Sequence, residues 1–355
     1  MSSSVHTGAG ALETRLQSWH VRAGPRSARL RAGKLRPTRQ HQRGVALITA
    51  VLIVALATIL AVNVGFSGYM DQRRAATTYA LDQGYEVALG GEAWAADALR
   101  TDAMQSNKTD DLSEAWATPI PPIPIEGGEF QGQLEDMQGR FNLNSLVRYD
   151  GALARVDEAN VKRFARLLQL LEIEEKWATI IADWIDSDVE ASFPNGAEDP
   201  VYTSLSPAYR TPNMPITRAS ELLAISEFGL ERYRKLEPYV TALPIGTKIN
   251  LCTASPELLD ALIENQTEYT IARENMADMR KQRCFPEKRE FQQLMTALPA
   301  DERQALGELI DERSTWFRST VWVTIGTTQY TLYSLLYRDN GTKLVRPILR
   351  SQGTP

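Results

Sequence analysis

The sequence has few of the side chains that enzymes use for nucleophilic and zinc chemistry. Its three histidines, His6, His20 and His41, all lie near the amino terminus, and the rest of the chain contains none. A Ser-His-Asp triad, a Cys-His pair or a histidine-rich zinc site is therefore excluded from the body of the protein. The shortage does not exclude an enzyme that uses carboxylates alone.

Charged residues are missing from Gly44 to Met70, and this gap coincides with a long apolar run. VALITAVLIVALATILAVNV begins at Val45 and matches the ~20 apolar residues that span a bilayer. The preceding 44 residues carry eight Arg, one Lys and one acid. The positive-inside rule then predicts a cytoplasmic basic leader over 1–44, a single transmembrane helix over 45–70 and a head outside the cytoplasm.

Basic residues are the minority in that head. Beyond residue 44 the chain has 30 basic and 43 acidic residues, a formal net charge of −13. The segment INLCTASPELLDAL, residues 249–262, is similar to the start of a helix-hairpin-helix DNA-binding module, but no glycine-rich hairpin follows it. Because acidic surfaces repel phosphate, we expect no nucleic-acid partner. A structural role for Asn250 and Ser255, capping a turn and a helix, is favoured instead.

Cysteine is scarce too. Cys252 and Cys284 are the two cysteines of the chain, and their separation fits no zinc-binding spacing. In an exported domain a Cys252–Cys284 disulfide is the natural interpretation, and two separate buried thiols are the alternative.

The order of sequence patterns predicts an α+β fold. The segment 71–136 contains a continuation of the first helix, a proline-rich linker over Thr118–Gly128 and one strand over Glu129–Asp136. Residues 137–315 are mainly helical, in two subunits of about 139–244 and 245–300, which open with the similar segments FNLNSL and INLCTAS. Residues 316–355 show alternating strand patterns around Asn340-Gly341, a hairpin signal. One strand before and three after a helical block make that block an insertion in an antiparallel sheet.

Carboxylates are crowded into one stretch of the predicted insertion. Between Lys176 and Arg210 there is no Lys or Arg, and six acids fall there: Asp183, Asp186, Asp188, Glu190, Glu198 and Asp199. Ala191 stands where an EF-hand needs Gly, and Glu198 comes one residue too late, so this is not an EF-hand. Crowded hard oxygen ligands, with a backbone carbonyl such as that of Val189, favour Ca²⁺. A solvated acidic loop is the alternative.

The junction Arg43-Gly44-Val45, a basic leader joined to an apolar helix, resembles the type IV pilin and pseudopilin superfamily. The resemblance implies that prepilin peptidase cleaves after Gly44 and that Val45 becomes the methylated first residue. Most pilins carry Glu at mature position five, where this chain has Thr49. That acid is thought to pair with the amine of a neighbouring subunit, so its absence suits a subunit with no neighbour ahead of it.

Further segments, including GRFNLNSL, ADWIDSD, NGAEDPVY, LEPYVTALP and TKINLCTASPELL, resemble the protein K minor pseudopilins of type II secretion systems. The resemblance implies a non-enzymatic tip subunit in the inner membrane with a periplasmic head. It also implies a pilin-like sheet with an inserted SAM-like or helix-hairpin-helix-like domain, and structural calcium in that domain. The implied partners are minor pseudopilins I and J, major pseudopilin G, the inner-membrane secretion platform, prepilin peptidase, and secreted substrates or the secretin. A membrane-anchored hydrolase with a carboxylate pair and a membrane-tethered DNA-binding protein are the alternatives.

Overall fold

A computed structural model describes residues 43–105, 108–264 and 267–354 of the chain. Residues 1–42 of the expected leader lie outside the described residues. The chain divides into two units, Met1–Ser67 and Gly68–Pro355.

The helices of the described residues are α1 Arg43–Met104, α2 Glu158–Leu170, α3 Lys176–Ile185, α4 Asp199–Tyr202, α5 Gly229–Leu236, α6 Pro256–Leu262, α7 Glu268–Ile271, α8 Arg273–Arg280, α9 Lys288–Leu294 and α10 Ala300–Leu309. The strands are β1 Ile120–Ile125, β2 Gly128–Asp136, β3 Phe141–Asn142, β4 Val147–Asp150, β5 Leu153–Val156, β6 Val240–Thr241, β7 Ile249–Asn250, β8 Ile310–Asp311, β9 Trp316–Ile325, β10 Thr328–Arg338 and β11 Val345–Gln352.

Helix α1 is continuous over 62 residues, as the sequence predicts. From Val45 it is long and apolar enough to cross a membrane, with a mean hydropathy of 3.0 in its most apolar window. Within this apolar part the Thr49 hydroxyl donates to the carbonyl of Ala46 at 3.0 Å. A hydroxyl satisfied inside its own helix needs no partner from a neighbouring chain.

The second unit is built on a five-stranded antiparallel sheet in the order β1-β2-β9-β10-β11. The later part of α1 covers one face of this sheet through two apolar clusters around Phe130 and Phe317. Gly91 permits that close approach, because a Cβ there would lie 3.0 Å from Val321 Cγ1 and would collide with the Phe130 ring. Helix and sheet therefore form a pilin-like layer pair.

The proline-rich segment is a strand, which corrects the expectation of a stiff linker. β1 has the sequence IPPIPI and pairs with β2 at the sheet edge, with a register shift between Ile120 and Ile123. An edge strand tolerates proline because the missing N–H groups are not needed for a second neighbour. Two strands, not one, thus precede the insertion.

The insertion leaves the sheet after Asp136, where β2 ends, and returns at Trp316, where β9 begins. β2 and β9 pair directly, from Gly128 opposite Ile325 to Asp136 opposite Phe317. The helical block of 137–315 is thus inserted between neighbouring strands, as the sequence predicts.

Two short parallel strand pairs divide the insertion. Phe141 pairs with Val240, and Ile249 pairs with Ile310, so the second subunit extends past residue 300 to β8. A single buried apolar cluster nevertheless runs from Phe141 to Ile310 through both subunits. The two subunits are therefore lobes of one core.

The two subunits open on equivalent asparagines. The Asn142 carboxamide oxygen accepts from the backbone N–H of Asn144 at 3.2 Å, and the Asn250 oxygen accepts from that of Cys252 at 3.0 Å. Ser255 caps α6 by accepting from the N–H of Leu258. These are the turn and helix caps that the sequence predicts, and they need no nucleic acid to explain them.

A buried carboxylate joins the entrance of the insertion to its exit. Asp136 Oδ2 accepts from Asn250 Nδ2 at 2.8 Å, Thr253 Oγ1 at 2.6 Å and Ser314 Oγ at 2.6 Å. Burial raises the pKa of Asp136 despite these donors. The network holds both ends of the insertion against the sheet.

Candidate metal site

Helix α3 places the first acids of the cluster. Its apolar face, with Trp177, Ile181 and Ile185, packs into the core, and the helix ends at Ile185 with Asp186 as its C-cap. Asp183 and Asp186 thus lie at the carboxyl end of a helix, where the macrodipole opposes negative charge. The helix end thus disfavours both negative charges, so a compensating cation is expected.

Three of the acids converge. Asp186, Asp188 and Glu198 each place a carboxylate oxygen within 4.8 Å of the others. Asp186 and Glu198 are 2% and 1% exposed, whereas Asp188 is exposed. Two carboxylates of the group are thus buried, and the third is exposed to solvent.

Several buried oxygens around this group lack a hydrogen-bond partner among the described residues. They are Asp183 Oδ1, Asp186 Oδ1, Glu198 Oε1 and Asn213 Oδ1. An unpaired buried polar atom costs ~1–3 kcal/mol, and four in one region are too many for an ordinary surface loop. Their shared property, an oxygen lone pair without a donor, fits a bound cation.

The charges of the cluster destabilise one another. Burial and then the carboxylates of Asp188, Asp183 and Glu198 raise the pKa of Asp186 to about 7. Burial is likewise the main cause of the raised pKa values of Asp183 and Glu198. A divalent cation would remove the mutual repulsion.

The remaining predicted ligands have protein partners or lie outside the convergent group. Asp183 Oδ2 accepts from the backbone N–H groups of Ser192 at 3.0 Å and Ala197 at 2.9 Å. Asp199 accepts from Thr211 and pairs with Arg210 at 3.3 Å. Glu190 is exposed and lies outside the convergent group. The structure therefore brings together three of the six acids, with Asp183 close enough to raise the pKa of Asp186.

Sequence reasoning missed Asn213. Its side-chain N–H donates to the carbonyl of Asp188, and its own oxygen is one of the unpaired atoms. Asn213 also has a positive φ of 47°, a conformation that asparagine tolerates better than most residues. The proline-flanked pattern Pro212-Asn213-Met214-Pro215 is the one sequence signal for this turn.

The residues present fit calcium. Ca²⁺ takes six to eight oxygen ligands in flexible geometry, whereas zinc prefers nitrogen and sulfur. Asp186, Asp188 and Glu198 would supply carboxylates, and Asp183 and Asn213 would supply further oxygens. The ion would act by neutralising charge and fixing the loop.

A second group of acids, Asp102, Asp110 and Glu114, also converges within 4.8 Å. Here Arg338 supplies the positive charge: it pairs with Asp102 at 3.0 Å and with Asp110. The backbone N–H of Ser314 donates to Asp110 at 2.8 Å. This group is an internal ion pair that ties α1 to β10, and it carries no argument for a metal.

Cys252 and Cys284 form a disulfide with a Cα–Cα distance of 4.7 Å. Its neighbour Arg280 is buried and donates to the carbonyls of Leu251 at 2.7 Å and Phe285 at 2.6 Å. Burial lowers the pKa of Arg280 to about 9.

The residues of the predicted processing site and of mature position five lie in the first two turns of α1. They are Gly44, Val45 and Thr49.

Comparison with known proteins gives a consistent result. The family model for type II secretion system protein K matches residues 139–245. Type II secretion system protein K of Pseudomonas aeruginosa is 35% identical over 89% of this chain and 94% of its own length. The Aeromonas hydrophila protein of that name is 30% identical over 87% of this chain and 97% of its own length.

A solved structure shares the fold. It is a chain from the crystal structure of the GspK-GspI-GspJ complex of the enterotoxigenic Escherichia coli type 2 secretion system, with a TM-score of 0.66 and 22% identity. The match covers 80% of this chain and 100% of that chain. On the strength of the two relatives, this chain belongs to the type II secretion system protein K family and serves type II secretion as a minor pseudopilin.

Proposed function

We propose that this chain is a non-enzymatic subunit at the tip of the type II secretion pseudopilus, where it initiates or caps the fibre. The observation that carries the proposal is the insertion of 137–315 between β2 and β9. A head widened in this way cannot repeat along a thin fibre without clashes between successive subunits. At the tip it meets no subunit above it.

Thr49 supports the same position. An acid in a bilayer costs ~2.5–3.5 kcal/mol on insertion scales unless it is paired, and a foremost subunit has no partner ahead to pair it. Thr49 instead donates within its own helix. Thr49→Glu is therefore expected to bring no gain in fibre assembly, with Thr58→Glu as a control at a position deeper in the helix.

The partners follow from the family and from the solved relative. We propose that the head binds minor pseudopilins I and J, because the related chain was crystallised in a GspK-GspI-GspJ complex. The apolar helix would be held by the inner-membrane secretion platform before it joins major pseudopilin G. We place the amino terminus in the cytoplasm and the head in the periplasm, in line with the basic flank.

Maturation by prepilin peptidase between Gly44 and Val45 is part of the proposal. Mass spectrometry of the protein purified from assembled fibres should find a methylated Val45 as the first residue. Gly44→Phe should leave the leader attached, because the cut needs close backbone approach at this position. A wild-type protein that keeps its leader would contradict this step.

We also propose that the site of Asp186, Asp188 and Glu198 holds a structural calcium ion. The unpaired buried oxygens support it. Calorimetric titration of the head with Ca²⁺ after chelator treatment should show binding, and Mg²⁺ should compete poorly because its geometry is stricter. Absence of heat at millimolar calcium would contradict the ion without touching the secretion role.

Immunogold labelling of the head decides the tip position. We expect label at one end of each pseudopilus and a change in fibre number or length when the protein is deleted. Label spaced along the whole fibre would overturn the tip position even though the family membership stands.

A further inference from the structure

The loop between α3 and α4 carries an aromatic side chain with almost no contact to the protein. Phe193 is 97% exposed, and Val189 on the same loop is 65% exposed. Isolated surface apolar residues are common, but a wholly uncovered Phe gives up ~1.5–3 kcal/mol of burial. Its position on the head therefore calls for an explanation beyond folding.

The turn that presents Phe193 is held from below. Asp183 Oδ2 accepts from the N–H of Ser192 before it and of Ala197 after it. The N–H of Gly196 closes the turn on the Ser192 carbonyl at 2.6 Å. Any Cβ at Gly196 would collide with the Asp183 carboxylate and with the Ser192 backbone. A buried side chain and a required glycine thus fix the base of the turn while Phe193 projects from it.

An exposed aromatic residue on a turn whose backbone is held in place suits binding. Aromatic residues dominate the energetics of protein interfaces when they fill a pocket. A backbone turn that is already held by hydrogen bonds loses less freedom on association than a mobile one. The side-chain N–H of Asn213 donates to the carbonyl of Asp188, the residue before Val189, and the residue after Asn213 is Met214, which is 58% exposed. Phe193, Val189 and Met214 together form what we call the apolar spur.

The surroundings of the apolar spur restrict its partner. Glu190 follows Val189, is exposed and lies outside the proposed metal site, and no Lys or Arg occurs from residue 177 to residue 209. A bilayer with anionic headgroups would be repelled by this acidic surface, whereas a basic protein rim would be attracted. The charge therefore favours a protein over a lipid surface.

We infer that the apolar spur docks into a protein partner of the secretion process, into a pocket that is apolar at its base and rimmed by Lys or Arg. Phe193 enters the pocket, Val189 and Met214 lie at its mouth, and Glu190, which lies outside the proposed metal site, faces the basic rim. The inference rests on the proposed role in secretion but not on the position of the subunit in the fibre.

Substitution gives the first test. Phe193→Ser in the full-length protein should abolish or strongly reduce secretion while the melting temperature of the head stays unchanged. Ile271→Ser is the matched control, because Ile271 is 81% exposed on α7, and it should secrete normally. Normal secretion by Phe193→Ser would overturn the inference.

Cross-linking gives the second test. A benzoylphenylalanine at position 193 of the full-length protein in secreting cells should yield one major protein adduct, and Glu190→Lys should reduce that adduct tenfold or more. Reversing a basic residue next to the cross-linked segment of the partner should restore it in the Glu190→Lys background. An adduct with lipid or with a second copy of this chain, or one insensitive to Glu190→Lys, would overturn the inference. Immunogold labelling of Phe193→Ser fibres keeps this result separate, since the label should stay at the tip.

Discussion

Two groups of three carboxylates in this molecule each converge within 4.8 Å, but their surroundings are opposite. Asp102, Asp110 and Glu114 lie beside Arg338, whose guanidinium pairs with two of them and stacks on Phe317 at 4.8 Å. The second group consists of Asp186, Asp188 and Glu198. The charged neighbours that shift the pKa of Asp186 are all acids. One group carries its own cation, and the other lacks one.

The two groups show how a structural ion pair can be distinguished from a metal site. Convergent acids alone do not indicate a metal, since both groups pass that test. What separates them is the state of the oxygens: Asp110 accepts from Arg338 and Ser314, whereas Asp186 and Glu198 each keep a buried oxygen without a donor. The positive charge can be removed by substitution of Arg338 in the first group and by chelation of the bound ion in the second. We expect the resulting losses of stability to differ in size.

The largest loss of stability is expected in the group of acids that pairs with Arg338. Arg338→Met removes the guanidinium that pairs with the buried Asp110, and breaking a buried pair from one side costs ~3–5 kcal/mol. Urea unfolding of the head measures it. Arg100→Met, which removes an exposed pair with Asp97, should cost ~0–1 kcal/mol. Equal losses from the two variants would show that Arg338 is not the internal cation.

Removal of calcium should come next. A ligand at 100 times its dissociation constant stabilises by ~2.7 kcal/mol, so a calcium chelator should lower the melting temperature of the wild-type head. In Arg338→Met the drop on chelation should be of similar size, because the two groups of acids have no residues in common. A melting curve unchanged by chelator would contradict the proposal that the second group of acids binds calcium.

The pH dependence of the metal-free head should reveal Asp186. Its pKa is raised from 3.8 to about 7, so between these values the folded state binds more protons than the unfolded state. Without calcium, its contribution to the free energy of unfolding therefore falls as the pH rises from 4 to 7. Asp186→Asn should be more stable than wild type in chelator at pH 7.5, by ~1–2 kcal/mol. That advantage should vanish at pH 4, and a constant difference across this range would contradict it.

The smallest effect is expected at Glu190. It is exposed and lies outside the converging oxygens, so Glu190→Gln should change stability by less than ~0.5 kcal/mol. The response of the melting temperature to calcium should match that of wild type. A lost calcium response in this variant would place a ligand where the geometry has none.

The sequence predicted the parts of the fold that local patterns encode. Alternation located β9 and β10, and Asp136 and Trp316 bracket the insertion where the helical patterns begin and end. The turn after β10 was located correctly, but it is longer than an Asn-Gly hairpin. Asp339 accepts from the N–H groups of Gly341 and Thr342, and β11 begins only at Val345.

The candidate site shows where local patterns stop being informative. Six acids in one stretch predicted a cation, but their spacing could not show that Asp183 turns one oxygen to the Ser192–Ala197 turn or that Asp199 pairs with Arg210. Those outcomes depend on Thr211, Asn213 and other residues brought in by the fold. The partnership of Arg338 with Asp102 joins elements 236 residues apart, and no periodicity reports such a contact.

The division of the sheet by the insertion has a consequence for the order of folding. β2 cannot gain its inner neighbour until β9 has emerged, and β9 follows the whole helical block in the chain. Pairing across such a separation is slow unless something brings the ends together. The insertion does so when it folds, because the hydrogen bond from Ser314 to Asp136 sets the start of β9 beside the end of β2. We therefore expect the helical block to fold first and the pairing of β2 with β9 to complete the sheet afterwards.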